Sequence, residues 1–393
     1  MDTVQVEENG GPSSLKLVNP SAGSAHLPRF KAQDGKLHIT WVEQEDSLAI
    51  LKYAVYASAK WSPAETIASG TDWFVNWADF PAVAINDGTV MATFLQKSAK
   101  GTYDYDVKYT LRDKESQKWS TARTLHNDGV AAEHGFVSLL SYKKGFFATW
   151  LDGRKTKTTG GHDNHSHGGN GAMTLRSALI DTNGKVTKRT ELDSRICDCC
   201  NTAAVQTEKG IVVVYRDRSE GQEEVRDIYR TIWNEDQKVL PAPVYNDNWL
   251  INGCPVNGPA IDTFADTVVT AWFTAVDDVP SVKLTFSKDS GLNFGDAIRV
   301  DAGDAIGRVD VVASDENSAY VLWMEQQGDG VVLQLKKVYT NGVFEQVQTI
   351  TKMSGERMSG FPQIERLGDT LYIATTAVTG KETAIEVFSF PIY

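Results

Sequence analysis

The chain has 393 residues, of which 39 are basic and 51 acidic, giving a formal net charge of −12. Hydrophobic residues make up 41% and charged residues 23%, a composition of globular folds and too apolar for a disordered chain. The acidic balance argues against a nucleic-acid or anionic-membrane partner, and no apolar run approaches the ~18 residues of a membrane-spanning helix.

Residues 1–24 are rich in Gly, Ser, Asn and Glu and lack a basic stretch followed by an apolar one. They read as the linker left after a leader is trimmed from an exported protein. A periplasmic or secreted location is expected, with a cytoplasmic one left open.

From residue 25 onward one pattern recurs seven times: a short apolar strand, a tight turn, and a second strand with an aromatic anchor. The turns fall at Asp34-Gly35, Asp87-Gly88, Lys144-Gly145, Lys209-Gly210, Ala265-Asp266, Glu316-Asn317 and Gly368-Asp369. The anchors Trp41, Phe94, Trp150, Tyr215, Trp272 and Trp323 follow at intervals of about 50 to 65 residues. A third alternating strand and a weaker fourth complete each copy. Four antiparallel strands per repeat make the blade of a β-propeller.

The expected fold is therefore all-β: one seven-bladed propeller over 25–393, with blades starting near 28, 81, 134, 202, 257, 308 and 361. The seventh copy ends about one strand short, and Ser14 to Val18 are placed to supply that strand and close the ring. Six blades, or a pair of stacked β-sandwiches, are the alternatives.

In such a fold the first strand of each blade lines the central channel. The loops leading into those strands share one face with the loops between strands two and three. That face collects Arg29, Asn76, Asp79, Glu133, His134, Asn257, Arg308 and Asp310. It also collects all four cysteines: Cys197, Cys199 and Cys200 in one run, and Cys254. A long insertion in the third repeat adds His162, His165 and His167.

Thiolates and imidazoles together suit soft or borderline ions, copper(I) or zinc above all. Cys-x-Cys-Cys is too tight for a zinc ribbon and better suits copper(I), which accepts two or three ligands. The expected metal ligands are Cys197, Cys199, Cys200, Cys254, His134, His162, His165 and His167. Two disulfides remain the alternative, in which case no metal is needed. The histidine tract also reads as a solvated loop, and His26, His38 and His126 as ordinary residues. Arg216-Asp217 and Arg226-Asp227 read as inter-blade ion pairs or as substrate clamps. Glu133-His134 reads as an acid/base pair or as a polar plug at the channel mouth.

Ser287-Lys288-Asp289-Ser290-Gly291-Leu292-Asn293-Phe294 resembles the Asp-box of the sialidase superfamily, and Leu111 to Trp119 carries a degenerate version. Other stretches are similar to one bacterial branch of sialidase-like proteins: Asp72 to Trp77, Glu133 to Val137, Trp150 to Arg154, Cys-Asp-Cys-Cys, Tyr215 to Arg218, Arg226 to Ile228, and Cys254 to Pro259. The resemblance implies the propeller fold, with a structural role for the box. It also implies three arginines that bind a carboxylate, a tyrosine–glutamate nucleophile pair and an acid/base aspartate. Arg29 sits near the first arginine's place, and Arg226 and Arg308 complete a triad by blade position. With Glu133, His134 and Asp79 these are the catalytic candidates; no tyrosine–glutamate pair stands out in the sequence. Three functions stay open: an exported metal-binding propeller, copper being favoured; a sialidase-type glycoside hydrolase acting on an acidic sugar; and a binding scaffold without chemistry. The implied partners are a metal ion or a small-molecule or glycan ligand.

Overall fold

The computed structural model describes residues 14–392 apart from 22, 158–170, 222–223 and 237. Seven antiparallel sheets follow one another along the chain. Blade one comprises Ala25–Gln33, Lys36–Glu45, Leu48–Ala57 and Glu65–Gly70, with the short Lys60–Trp61 beside its third strand. Blade two comprises Val83–Asn86, Thr89–Lys97, Tyr105–Arg112 and Arg123–Thr124, and blade three His134–Tyr142, Gly145–Asp152, Met173–Asp181 and Val186–Ile196. Blade four is Ala203–Thr207, Gly210–Arg216, Ile228–Trp233 and Lys238–Pro243; blade five is Ala260–Phe264, Thr267–Thr274, Ser281–Ser287 and Ile298–Arg299. Blade six is Ala305–Asp315, Ser318–Gln327, Gly330–Tyr339 and Gln348–Met353. Blade seven takes Gln363–Leu367, Thr370–Thr379 and Glu382–Pro391 from the C-terminal end and Leu15–Lys16 from the N-terminal end.

The turn chemistry accounts for these hairpins. Five of the seven expected turns connect the first two strands where the sequence places them. The turns before Gly145 and Gly210 fall one residue earlier, because each glycine pairs as the first residue of the second strand. Among the described residues the only helical pieces are two three-residue turns, Val276–Asp278 and Arg357–Ser359. No helix among them is long and apolar enough to cross a membrane.

The core is not one body but seven. A separate cluster of buried apolar side chains lies between each pair of neighbouring blades, including blades seven and one. Strand alternation produces this layout, since each blade presents an apolar face to both neighbours. The tryptophan anchors Trp41, Trp150, Trp272 and Trp323 are buried, and each indole N–H reaches a carboxylate. In three of them the acceptor lies two residues on, on the same face of the strand: Glu43, Asp152 and Glu325.

The first strands of all seven blades line a central cavity of about 690 Å³. Near the mouth several of these strands, or the residues leading into them, adopt left-handed backbone. Leu27, Phe136, Val256 and Arg308 have φ of 55°, 54°, 49° and 52°. Register shifts follow at the same places in blades one, three and six. Such bulges cost conformational energy in bulky residues and re-aim the chain at the channel mouth. Blade seven meets the same need with Gly360, at φ 62°.

Candidate metal centre

Cys197 to Thr202 connect the last strand of blade three to the first strand of blade four. The run is pinned at its start, where the Cys197 N–H donates to the Arg216 carbonyl at 3.1 Å. It is pinned at its end by Asn201, whose side chain donates to the Pro259 carbonyl at 3.2 Å and accepts from the Gly258 N–H at 3.1 Å. Gly258 is required there, since a Cβ at that position would lie 2.0 Å from the Asn201 carbonyl oxygen. Asn257 makes the next clasp, accepting from the Arg308 N–H at 2.7 Å and donating to the Ile306 carbonyl at 3.2 Å. The lead-in loops of blades four, five and six are thus buttoned together by side-chain amides.

Within this frame the three clustered thiols converge. Cys197 Sγ lies 3.8 Å from Cys199 Sγ and 3.7 Å from Cys200 Sγ, and all three sulfurs fall within 4.8 Å of one another. Cys254, an expected ligand on the loop leading into blade five, is exposed and is not one of the three sulfurs that lie within 4.8 Å of one another. All four cysteines are free thiols, so the disulfide alternative is not realised in this structure. Disulfide sulfurs would sit near 2.05 Å. Metal–sulfur bonds of about 2.3 Å set sulfurs about 3.8 Å apart in a tetrahedral site and about 4.0 Å apart in a trigonal one.

The electrostatics favour a thiolate at the centre. Hydrogen bonds from Cys199 and Cys200, helped by the Arg226 guanidinium, hold Cys197 well below the usual thiol range. Arg226 Nη1 sits 3.1 Å from Cys197 Sγ, and Nη2 sits 2.6 Å from Glu224. Arg218 also pairs with Glu224 at 2.6 Å, and Asp198 approaches both arginines at 3.5 and 3.8 Å. The two other clustered thiols are pushed the opposite way: Cys199 by its sulfur neighbours, and Cys200 first by burial.

Beside the thiols is a second polar group. The Tyr105 hydroxyl lies 3.0 Å from Asp79 and 2.9 Å from Glu133. Burial pushes Glu133 up to about 8, with the charges of Asp79, Asp198 and Cys197 adding to it. Burial likewise pushes Asp79 up to about 7, against the pull of hydrogen bonds from the Phe136 N–H and Tyr105. The catalytic candidates Asp79 and Glu133 are therefore joined, through a tyrosine that the sequence reading missed. Its signal was weak: Tyr105 is one aromatic among many in an alternating strand.

His134 turns away from the thiols. Its Nδ1 faces the Ala132 and Tyr105 carbonyls, while Nε2 lies 3.0 Å from Asp128 and 3.7 Å from Asp152. Its ring stacks on His126 at 3.7 Å, with 4° between the planes. His126, read from sequence as an ordinary residue, is buried between Asp106 and Asp128. Alternation along the strand sends His134 to the side of the blade opposite Glu133. Arg154 already supplies a cation to Asp128 and Asp152. His162, His165 and His167 lie outside the described residues.

The three expected arginines contact different groups. Arg226 serves the thiols. Arg308 donates to Ser359 Oγ at 2.7 Å and to the Glu356 and Gly360 carbonyls, and lies over Trp77. Arg29 lines the central cavity with its guanidinium 3.1 Å from the centre of the Phe80 ring, and its buried Nε has no hydrogen-bond partner. Arg216 forms no ion pair with Asp217; its guanidinium donates to the carbonyls of Asn257, Arg226 and Phe273, and so ties blade four to blade five.

No protein-family model and no curated protein matches this sequence. Among solved structures, the polysaccharide lyase Uly1 superposes with a TM-score of 0.55 at 10% identity, over 99% of this chain and 94% of that one. A Trypanosoma rangeli sialidase in complex with sialic acid gives 0.50 at 11% identity, over 97% of this chain and 59% of that one. A Pyrococcus horikoshii acylaminoacyl peptidase gives 0.50 at 11% identity, over 92% and 51%. The chain thus spans little more than half the length of the sialidase and the peptidase. Identities this low speak to fold alone. In fold the chain is a sialidase-like seven-bladed β-propeller, and beside one mouth of its channel it carries a cluster of free cysteines with the spacing of metal ligands.

Proposed function

We propose that this protein is an exported metal-binding propeller whose cargo is a soft ion, copper(I) in the first place. One observation carries the reading: three free thiols gather, with Cys197 3.8 Å from Cys199 and 3.7 Å from Cys200, where a disulfide was the alternative. Cys197, Cys199 and Cys200 would hold the ion. Three thiolates around a monovalent cation leave excess negative charge, and Arg226, in contact with Cys197, is placed to offset it. Two of the three thiols are buried, which suits an ion that must be kept from water and oxidants. Three soft thiolates in a Cys-x-Cys-Cys run, without the Cys-x2-Cys pairs of a zinc ribbon, favour copper(I) over zinc.

The test is elemental analysis of protein purified anaerobically without chelator. About one copper per chain is expected, lost on Cys197→Ser or Cys200→Ser. Metal-free protein with its four sulfurs in disulfides would overturn the reading.

A second reading rests on Arg29. A buried guanidinium without a hydrogen-bond partner on its Nε, lining a cavity, favours an anionic ligand such as an acidic sugar. The structural neighbours that belong with this reading are a sialidase in complex with sialic acid and a polysaccharide lyase. Calorimetric titration with sialic acid and with an oligouronate, on the protein and on Arg29→Ala, decides it. Heats that persist unchanged in Arg29→Ala would sink it.

A further inference from the structure

The four sulfurs form a gradient from core to solvent. Cys197 and Cys200 are 1% and 2% exposed, Cys199 is half-buried, and Cys254 is exposed. Cys199 is the intermediate step: it is half-buried, its Sγ lies 3.8 Å from Cys197 Sγ within the cluster, and the Cys254 thiol is among the groups that act on it.

Their supports differ too. The Cys197–Asn201 run is held at both ends by the hydrogen bonds already described. Cys254 rides on a short arch. One foot is tied where the Ile251 N–H donates to the Glu224 carbonyl at 3.2 Å, and the other at Asn257 and Gly258. Between the feet, Asn252 and Cys254 are exposed, and a Cβ on Gly253 would meet nothing within 4 Å. A ligand on such an arch has fewer ties to the rest of the molecule than the three on the pinned run.

We propose that Cys254 is the exchange ligand of this site: the thiolate that takes a soft ion from a thiol-bearing donor and passes it, through Cys199, to the buried pair. This rests on the metal-binding reading above. The partner is a thiol because only a soft donor competes with thiolates for such an ion. In the first step Cys254 Sγ, having lost its proton, bonds to donor-held copper(I). The copper–donor sulfur bond breaks, and the released donor thiolate takes up a proton. Copper stays copper(I), and no electrons move. In the second step Cys199 loses its proton and replaces the remaining donor sulfur, which takes up a proton; Cys197 bonds as the thiolate, Cys200 loses its proton and bonds, and Cys254 leaves and is reprotonated. The route keeps the ion bonded to sulfur throughout.

The experiment uses the full chain, anaerobically, as wild type, Cys254→Ser and Cys200→Ser. Copper(I) affinity is measured by competition with bicinchoninate. Loading is followed by stopped flow from two copper(I) donors, glutathione and a Cys-x-x-Cys peptide. Cys254→Ser should still bind one copper(I), with affinity within about tenfold of wild type, while loading slows by about tenfold or more. Cys200→Ser should lose about a hundredfold or more in affinity. Slowing with both donors assigns Cys254 a general thiol-exchange role; slowing with the peptide alone assigns it to a protein donor. Loading of Cys254→Ser at the wild-type rate from both donors overturns the proposal, as does an affinity loss equal to that of Cys200→Ser. Wild type that binds no copper(I) overturns instead the reading on which it rests.

Discussion

The stacked imidazoles of His126 and His134 share one carboxylate, Asp128, at 2.6 and 3.0 Å. Burial pulls His126 down, but its bonds to Asp106 and Asp128 outweigh that and hold it above 6.5. Asp106 is pushed up by burial and pulled down further by His126 and Lys108, to about 2. Asp128 is held well below its usual range by the two histidines, again against burial. The signs follow by linkage. The aspartates add stability above pH ~3.8 that is lost as pH falls toward 2. His126 adds stability that is complete below pH ~6.5 and lost as pH rises through its raised value. Urea denaturation across pH 3 to 9 should therefore show a maximum near pH 5 to 6. His126→Asn should flatten the alkaline limb and also shrink the acid limb, because Asp106 and Asp128 lose a partner that holds them down. The facing groups that set this balance are Asp106, Lys108, Asp128, His134, Asp152 and Arg154. None of this was legible in the sequence. His126 and His134 sit eight residues apart in different segments, and only the turn of the chain between blades two and three brings the rings face to face.

At the scale of elements, the lead-in loops matter more than the strands they serve. The clasp of Asn201 on blade five needs the closest backbone approach at the site, at Gly258. Gly258→Ala would press a methyl against the Asn201 carbonyl and force the two loops apart. A loss of about 2–3 kcal/mol in unfolding free energy is expected, in the range of overpacking a close contact. Metal affinity should fall with it, because Cys200 precedes Asn201. A variant as stable as wild type would show that the loops can part without cost. The hairpins, by contrast, were legible: turn residues and alternating apolar runs are local signals, and all seven turns fall within one residue of where the sequence places them. The left-handed residues Leu27, Phe136 and Arg308 carry no such signal. Bulky side chains in that region are imposed by the geometry of the channel mouth, not preferred by the chain.

Ring closure belongs to the whole molecule. Leu15–Lys16 pairs with Ser389 and Phe388 on the third strand of blade seven, and the Leu17 N–H donates to the Val387 carbonyl at 2.8 Å. Asn19 reaches the Ile385 carbonyl, and the Trp61 indole reaches the Val18 carbonyl. Removing residues 1–18 takes away several of these bonds, each worth about 1 kcal/mol. It also bares a sheet edge. A drop of about 2–4 kcal/mol in stability is expected, with self-association visible by light scattering. An unchanged melting temperature would mean that the last blade stands without its fourth strand.

The seven blades, their order and the closing strand are properties of the sequence by itself, because repeat period, turn residues and strand alternation are local and are repeated often enough to average out errors. The convergence of the cysteines on one face also followed, since a propeller's topology assigns every loop to one end or the other. Which of those residues meet was decided only by the tertiary structure. Loop side chains are aimed by bulges and clasps between blades that leave no periodic trace. So the thiols gather with Arg226, Glu133 gathers with Tyr105 and Asp79, and His134, one residue from Glu133, points the other way.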